Sequence, residues 1–393
     1  MQFKASLADP DVWMKPAVKP TGQTYYEYVF VYVDDILVCS VNPVAVMETL
    51  GKAYRLKEGS IGPPTQYLGA QIKPHRFEDM PAHEYWSMSS AKYVKEAVKN
   101  LEKDLKKVGK KLPSSRITTP LQYGYRPELD VSPLLNAEHT TFYQQLIGIL
   151  RWAVELGRIE LHCSVALMAQ YLAAPREGHL NQVYHIFAFL KAHDRSRIVM
   201  DASRPRVDES RFHQADWTEF YRDAQEAIPP NAPEPRGNGV IMSCFCDADH
   251  AGNKVTRRSH TGIIIFVNRA PIIWFSKRQN TVETSTFGSE FIAARIAVEL
   301  VEGLRYKLRM FGIPIDGPTN VYIDNDSVVC NSTHPESALK KKHNAIAYHR
   351  VREAVAAGMI RIAYEPSETN LADILTKLLP GPKLKDLCKR ILH

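Results

Sequence analysis

The order of strand-like and helical segments after residue 239 is the strongest constraint on the fold. Strand-like segments there are rich in β-branched and aromatic residues, whereas helical segments repeat apolar residues every three or four positions. The order is strand, strand, strand, helix, strand, helix, strand, helix, with the bounds 240–246, 261–267, 272–275, 288–311, 320–323, 343–357, 359–364 and a last helix from residue 370. This order predicts a mixed sheet of five strands with helices packed on its faces.

Four acidic residues occupy defined places in this pattern. Asp247 and Asp324 each end an apolar strand, Glu290 lies in the first turns of the long helix, and Asp373 opens the last helix near its positive end. We expect the four to converge on one edge of the sheet, although any one of them alone would be interpreted as a turn residue or a helix cap. A cluster of carboxylates is costly unless cations neutralise it, and ligands that are all oxygen suit Mg²⁺ or Mn²⁺. Two such ions roughly 3.5–4 Å apart activate a water and stabilise the leaving oxygen in phosphodiester cleavage.

The rest of the chain is long enough for further domains. At 393 residues it exceeds one ordinary core, and its composition, 45% hydrophobic and 24% charged, is typical of a globular protein. No run approaches the roughly 18 apolar residues of a membrane span. Six scattered cysteines without a C-x-x-C pair fit a reducing compartment and do not indicate structural zinc. Residues 201–239 carry five prolines among charged and small residues, which predicts a linker or a wrapping loop.

The N-terminal half contains a second acidic motif. Tyr32-Val33-Asp34-Asp35 lies between two β-branched and aromatic runs, which predicts a hairpin with the acids at its turn. Residues 65–72 predict a short strand. Residues 91–111 predict a helix with one apolar face and one lysine-rich face, and residues 142–152 and 162–192 predict further helices.

These motifs together resemble the C-terminal part of copia-type LTR retrotransposon polyproteins. The motifs that resemble the family's ribonuclease H domain are DADHAG, RRSHTGIIIF, APIIWFSKRQ, STFGSEFIAA, YIDNDS, KKKHNAIAYHRVREAV and TNLADILTKLLP. YVDD resembles the palm hairpin of reverse transcriptases, the lysine-rich helix resembles a thumb, and FYQQLIGILRW resembles the connecting region. The resemblance implies an α+β and α/β multidomain protein: a partial palm (1–86), a helical thumb and connection (87–200), a Pro-rich linker (201–239) and a ribonuclease H-like domain (240–393).

The resemblance also implies the roles of particular residues. Asp247, Glu290, Asp324 and Asp373 would bind two Mg²⁺ ions, with Mn²⁺ as an alternative, and hydrolyse the RNA strand of an RNA–DNA hybrid. Asp34 and Asp35 would belong to a polymerase metal site, and Tyr67 and Gly69 to the segment that positions a primer end. Basic residues near the four acids are expected to hold hybrid phosphates by charge; they are Arg257, Arg258, Lys277, Arg278, Lys340, Lys341 and Lys342.

The chain departs from its relatives in two places. Retroviral ribonucleases H have a histidine before the last acid, whereas this chain has Tyr364 and Pro366 there; for His343 and His349 we favour packing or phosphate-facing roles. The family's third polymerase acid lies far upstream of the hairpin. Only 31 residues precede Tyr32, and residues 9–11 form a Pro-containing loop unlike the family's strand. We therefore expect ribonuclease H activity and no DNA polymerisation from this chain alone.

Two other functions are alternatives to a ribonuclease H. The first is a catalytically silent retroelement remnant that only binds nucleic acid. A proofreading-type exonuclease also uses four acids, but they would not follow this order of strands and helices. The expected partners are RNA–DNA hybrids, DNA, RNA and other retrotransposon polyprotein products, without a membrane. A location in cytoplasmic particles, and then in the nucleus, is inferred from the family only.

Overall fold

The N-terminal strands form an antiparallel sheet that carries the YVDD hairpin. The computed structural model describes residues 2–57, 59–114, 117–339 and 342–393. The sheet contains, in order, β1 (Lys4–Ala5), β2 (Val12–Val18), β3 (Thr24–Tyr32) and β4 (Asp35–Cys39), and helix α1 (Pro43–Ala53) follows it. Tyr32 pairs with Asp35, so Val33 and Asp34 alone form the turn, and Val33 has a φ of 55°. The predicted hairpin is confirmed, with Asp34 in its turn and Asp35 as the first residue of β4.

A second antiparallel sheet joins the N-terminal half to the helices. Its strands are β5 (Gln66–Tyr67), β6 (Ala70–His75), β7 (Tyr85–Ser89) and, from beyond the helices, β8 (Ile198–Val199). The prediction of one strand over 65–72 is wrong, because Leu68 and Gly69 turn the chain back with φ values of 49° and 86°. The predicted boundary between palm and thumb, at residue 86, falls inside β7, and β7 pairs with β8 from the end of the helical region.

Four helices and their loops form the largest core cluster. They are α2 (Ala91–Lys107), α3 (Ala137–Glu155), α4 (His162–Met168) and α5 (Glu177–Ala192). The apolar face of α2 is buried and its lysines face outward, as predicted, but the helix ends before residue 111 because the chain turns at Gly109, which has a φ of 66°. The helical run predicted over 162–192 is broken between Met168 and Glu177.

The C-terminal domain contains the predicted mixed sheet of five strands. The strands are β9 (Met242–Asp249), β10 (His260–Val267), β11 (Ala270–Arg278), β12 (Thr319–Ile323) and β13 (Ile360–Tyr364), and their spatial order is β11-β10-β9-β12-β13. The first three are antiparallel, whereas β12 is parallel to both β9 and β13. This ribonuclease H-like arrangement confirms the predicted fold class and places β9 at the centre.

Helices cover this sheet, and two of them differ from the sequence prediction. They are α6 (Thr286–Met310), α7 (Asp326–Thr333), α8 (Ala345–Ala356) and α9 (Gly381–Cys388). The short α7 was not predicted, because its polar sequence has little periodicity beyond the Asn325 cap. Asp373 does not open the last helix: it lies on a separate 3-10 turn, Leu371–Leu375, ahead of α9. In the described ranges no helix is both long and apolar enough to cross a membrane.

The Pro-rich segment between the helices and this domain is packed against the nuclease surface. Glu226 makes ion pairs with Arg305 and Arg309 on α6, and Glu209 pairs with Arg361 on β13. Phe212 is buried against the ring of Tyr322 on β12. Residues 201–239 therefore form a wrapping loop, the second of the two predicted alternatives, and not a free linker.

Candidate active site

Three aspartates meet where the pairing between the parallel strands β9 and β12 ends; Asp247 was predicted to end its strand, but β9 continues to Asp249 because it still pairs with β10. Cys246 pairs with Ile323, so the next residues, Asp247 and Asp324, are neighbours at the same edge of the sheet. Asp373 reaches them from the 3-10 turn. One carboxylate oxygen from each of the three lies within 4.8 Å of the others. Asp247 and Asp373 are each only 1% exposed, so their charges are almost completely removed from bulk water.

Glu290 completes the cluster from the first turns of α6. It is 3% exposed, and the backbone amide of Ala248 donates a hydrogen bond to its carboxylate. Burial, and then the charges of Asp247 and Asp324, raise the pKa of Glu290 well above its usual value. Its Oε2 atom is buried and has no hydrogen-bond partner in the described part of the chain. An unpartnered, buried carboxylate oxygen beside three aspartates fits a divalent cation, because a cation satisfies both the oxygen and the excess negative charge.

Two lysines that were not predicted from the sequence contact the cluster. The Lys377 ammonium lies 2.7 Å from Asp373 Oδ1 and 3.1 Å from Asp247 Oδ2. Lys383 Nζ lies 2.6 Å from the other oxygen of Asp373 and 3.1 Å from the Ser367 carbonyl oxygen. The only sequence signal was the four-residue spacing of Asp373 and Lys377, which is common on solvated surfaces.

Two hydroxyl groups orient the aspartates. Thr376 donates a hydrogen bond to Asp247 Oδ2, and Ser367 donates one of 2.8 Å to Asp324 Oδ2. Burial raises the pKa of Asp247 to about 7; Asp373 and Asp324 act in the same direction, whereas Lys377 and the Thr376 hydroxyl oppose the rise. Burial and the neighbouring carboxylates therefore disfavour the charged form of Asp247, and Lys377 and Thr376 offset part of this effect.

Some of the predicted basic residues lie beside the cluster. Arg258 and Arg278 line a cleft of about 210 Å³ that also contains Thr376 and Lys377. Arg126, from the helical region before the wrapping loop, lies in the same cleft. The remaining predicted contacts are elsewhere or undescribed: Arg257, Lys277 and Lys342 are exposed, and Lys340 and Lys341 lie outside the described residues.

The two histidines of the sequence analysis have other contacts. His343 Nε2 lies 3.2 Å from the buried Glu283 carboxylate. His349 Nδ1 lies 2.7 Å from the Tyr221 hydroxyl on the wrapping loop. His349 thus fastens that loop to α8, which is a packing role.

The YVDD hairpin is exposed at its tip. Asp34 and Asp35 are both solvent-accessible, and in the described part of the chain no third acid lies close enough to form a cation-binding group with them. Burial, and then the charge of Asp35, raise the pKa of Tyr67 above its usual value. Gly69 packs against α3, where an added Cβ would lie 3.7 Å from Trp152 Nε1.

The chain is similar to transposon polyproteins over nearly its whole length. No family model matches it. The retrovirus-related Pol polyproteins from transposons RE1 and RE2 of Arabidopsis thaliana are each 23% identical to it, over 365 and 368 residues, and cover 93% of the chain. The corresponding polyprotein from transposon TNT 1-94 of Nicotiana tabacum is 24% identical in an alignment of 398 residues, gaps included, that covers 99% of the chain. The chain spans 21%, 22% and 26% of these relatives, roughly a fifth to a quarter of their length.

Solved ribonuclease H structures are similar to about a third of the chain. LC11-RNase H1, determined in complex with an RNA/DNA hybrid, is 17% identical, with a TM-score of 0.29, and covers 34% of this chain and 93% of its own. RNase H1 from the archaeon Halobacterium salinarum is 16% identical, with a TM-score of 0.28, and covers 37% of this chain and 98% of its own.

Proposed function

We propose that the C-terminal domain of this chain, which is similar over nearly its whole length to the retrovirus-related Pol polyproteins from transposons RE1 and TNT 1-94, is a metal-dependent ribonuclease H that hydrolyses the RNA strand of RNA–DNA hybrids. The observation that carries the proposal is the buried cluster itself. Asp247, Asp324 and Asp373 come from three separate elements and bring oxygens within 4.8 Å of one another at one edge of a five-stranded mixed sheet. Glu290, on which the charges of Asp247 and Asp324 act, has a buried oxygen with no partner among the described residues. Lys377 and Lys383 offset only part of this negative charge, and a structural role alone would not favour burying the remainder.

The donor set fits hard divalent cations. Asp247, Asp324 and Asp373 each offer an oxygen within 4.8 Å of the others, and the charges of Asp247 and Asp324 act on Glu290. These four residues would hold two Mg²⁺ ions, with Mn²⁺ as an alternative, because every ligand is a carboxylate oxygen. Two such ions supply an activated water and stabilisation of the leaving oxygen. The chain itself orients the ligands: Thr376 fixes the Asp247 carboxylate, and Ser367 fixes that of Asp324.

The cleft beside the cluster is the proposed site for the substrate backbone. Three arginines, Arg126, Arg258 and Arg278, line it together with Lys377. Guanidinium groups bind phosphates by charge and by paired hydrogen bonds, without reading base sequence. We therefore expect the hybrid to contact both the nuclease domain and the helical region that supplies Arg126.

Cleavage of a labelled RNA–DNA hybrid in the presence of Mg²⁺ tests the function. The chain should cut the RNA strand, and Asp324→Asn, which keeps the shape of the side chain but removes its charge, should lose at least a hundredfold in rate. If neither protein cuts the hybrid although both bind it, the protein is a nucleic-acid-binding remnant. Trimming of single-stranded DNA instead would support the exonuclease alternative.

The same polypeptide is proposed not to synthesise DNA by itself. Asp34 and Asp35 stand at an exposed tip without a third carboxylate grouped with them among the described residues, whereas two-metal polymerases use three. Primer extension on a primed RNA or DNA template is the measurement. Robust synthesis that depends on Asp34 and Asp35 would contradict this part of the proposal.

A further inference from the structure

We propose that Lys377 is an internal counter-ion that occupies one of the two cation positions in the acid cluster and must withdraw before a divalent ion binds there. The inference rests on the proposed function, because it describes how the same cluster takes up its metal. On this proposal, Lys377 controls the order in which the cluster binds metal ions and the affinity of the later binding step.

The position of the ammonium group is the first support. Lys377 Nζ lies 3.2 Å from Asp247 Oδ1, 3.1 Å from Asp247 Oδ2 and 2.7 Å from Asp373 Oδ1. It therefore bridges two of the three aspartates whose oxygens lie within 4.8 Å of one another. A divalent cation held by Asp247 and Asp373 would use carboxylate oxygens that the ammonium now contacts, so the two would compete for the same ligands.

The four acids differ in their lysine contacts. Both oxygens of Asp373 are bound by ammonium groups, one by Lys377 and the other by Lys383. Among the described residues no lysine contacts Glu290 or Asp324, and Glu290 Oε2 has no hydrogen-bond partner. Asp247 and Asp373 therefore share an ammonium group already, whereas Glu290 and Asp324 do not contact one.

Lys377 has a route out of the cluster. Its side chain is 34% exposed and lines the cleft next to the acids, where Asp249 is also found. The four-carbon stem of lysine allows the ammonium to move into this cleft while the backbone stays in place. A cation that replaces it restores the local charge, so the exchange leaves the aspartates neutralised in both states.

The consequence is an ordered uptake of metal. Glu290 and Asp324 would take up a cation first, whereas Asp247 and Asp373 would hold one only at a higher concentration, because it would compete with a tethered charge at high effective concentration. Removing the ammonium should therefore strengthen the second binding step and leave the first nearly unchanged.

Calorimetric titration with Mn²⁺ tests this on the full chain at pH 7.5. We compare the unaltered protein with Lys377→Gln and with the matched control Lys385→Gln, which removes an exposed lysine of α9. The expected result for Lys377→Gln is a second dissociation constant at least tenfold lower, with the first constant unchanged within twofold. Lys377→Arg, which keeps the charge, and Lys385→Gln should both behave as the unaltered protein does. An unchanged or weaker second constant in Lys377→Gln would overturn the inference.

A second readout separates this role from a merely structural one. Lys377→Gln should unfold at a lower temperature than the unaltered protein in EDTA, and saturating Mn²⁺ should remove the difference, because the metal replaces the missing charge. A difference that persisted in Mn²⁺ would indicate a structural role and overturn the inference.

The third measurement needs no variant at all. Saturating Mn²⁺ should raise the acetylation rate of the Lys377 amine in the unaltered protein, followed by mass spectrometry, with Lys385 as the internal reference. Unchanged or reduced labelling of Lys377 would contradict its withdrawal. If the unaltered protein bound no Mn²⁺ at millimolar concentration, the metal site and the proposed function would fail with it, whereas binding that ignores Lys377 would overturn only the inference about the lysine.

Discussion

The Thr376 hydroxyl donates a hydrogen bond to the Asp247 carboxylate, although 129 residues separate the two in the chain. The contact joins the 3-10 turn that carries Asp373 to the central strand β9, and both partners are buried. It orients the carboxylate of Asp247, which also contacts Lys377.

Replacing Thr376 by valine keeps the volume of the side chain and removes this hydrogen bond. We expect the cleavage rate to fall about tenfold, since a hydrogen bond to a charged, buried group contributes about 1.5–3 kcal/mol. The hydroxyl lowers the pKa of Asp247, so its loss raises that pKa, and the acid side of the pH–rate profile should move to higher pH. Rates from pH 6 to 9 check this, with Thr49→Val on the exposed face of α1 as the control. A variant with unchanged rate and profile would show that Asp247 is held without Thr376.

Glu226 should hold the wrapping loop on the nuclease domain. Its two oxygens each lie 2.7 Å from the guanidinium of Arg305, which is almost fully buried, and Arg309 also binds them. Glu226→Gln leaves the buried arginine without a counter-charge, so we expect the free energy of unfolding to fall by about 2 kcal/mol at pH 7. Urea denaturation measures this, and Glu219→Gln, an exposed glutamate of the same loop, should change it little.

The stabilisation by Glu226 should depend on pH in a defined direction. Burial acts to raise the pKa of Glu226, but the hydrogen bonds and charges of Arg305 and Arg309 outweigh it, and the net pKa is lowered. The folded state therefore gains stability from this group above the ordinary glutamate pKa and loses it as the pH falls through the lowered one. The unaltered protein and Glu226→Gln should converge in stability in strong acid. A difference that grew with acidity would contradict the assignment.

Arg126 should contribute to hybrid binding although it lies outside the nuclease domain. In an Asp324→Asn background, where the hybrid is not cut, we expect Arg126→Ala to weaken binding about three- to tenfold for every sequence tested. The plot of log affinity against log salt should become shallower, its negative slope falling in magnitude by about one, because one phosphate contact is lost. Fluorescence anisotropy at several salt concentrations measures both quantities. Arg195→Ala removes a highly exposed arginine far from the cleft lining and serves as the control; equal effects of the two would argue against a specific contact.

Val33 is under backbone strain at the tip of the YVDD hairpin. A β-branched residue with a φ of 55° is rare, and its left-handed conformation costs about 1–2 kcal/mol. Since the side chain is 87% exposed and makes little packing contact, Val33→Gly should stabilise the hairpin by up to about 1 kcal/mol, after the entropic cost of glycine. Hydrogen exchange of the amides in β3 and β4 measures this local stability. Faster exchange in Val33→Gly would show that the valine side chain stabilises the turn.

The sequence alone predicted the five strands in their order along the chain, and it selected the four acids of the proposed site. Both signals are local: apolar periodicity defines an element, and an acid at the end of a strand has a position that follows from that element. The YVDD hairpin was predictable for the same reason, since its turn residues lie between two strand-like runs. The tight turn at Leu68 and Gly69 was not, because leucine gives no signal for a positive φ.

Two features became visible only from tertiary contacts: the lysines that contact the acids, and the position of the Pro-rich segment. The contact between Lys377 and Asp247 joins residues 130 apart, and a four-residue spacing from Asp373 fits a solvated lysine equally well. Likewise, Glu226 is one acid among many until α6 presents Arg305 and Arg309 to it. Such contacts arise from the packing of distant elements. A buried charge is costly unless an opposite charge pairs with it, and no local pattern in the sequence shows which partner will be near.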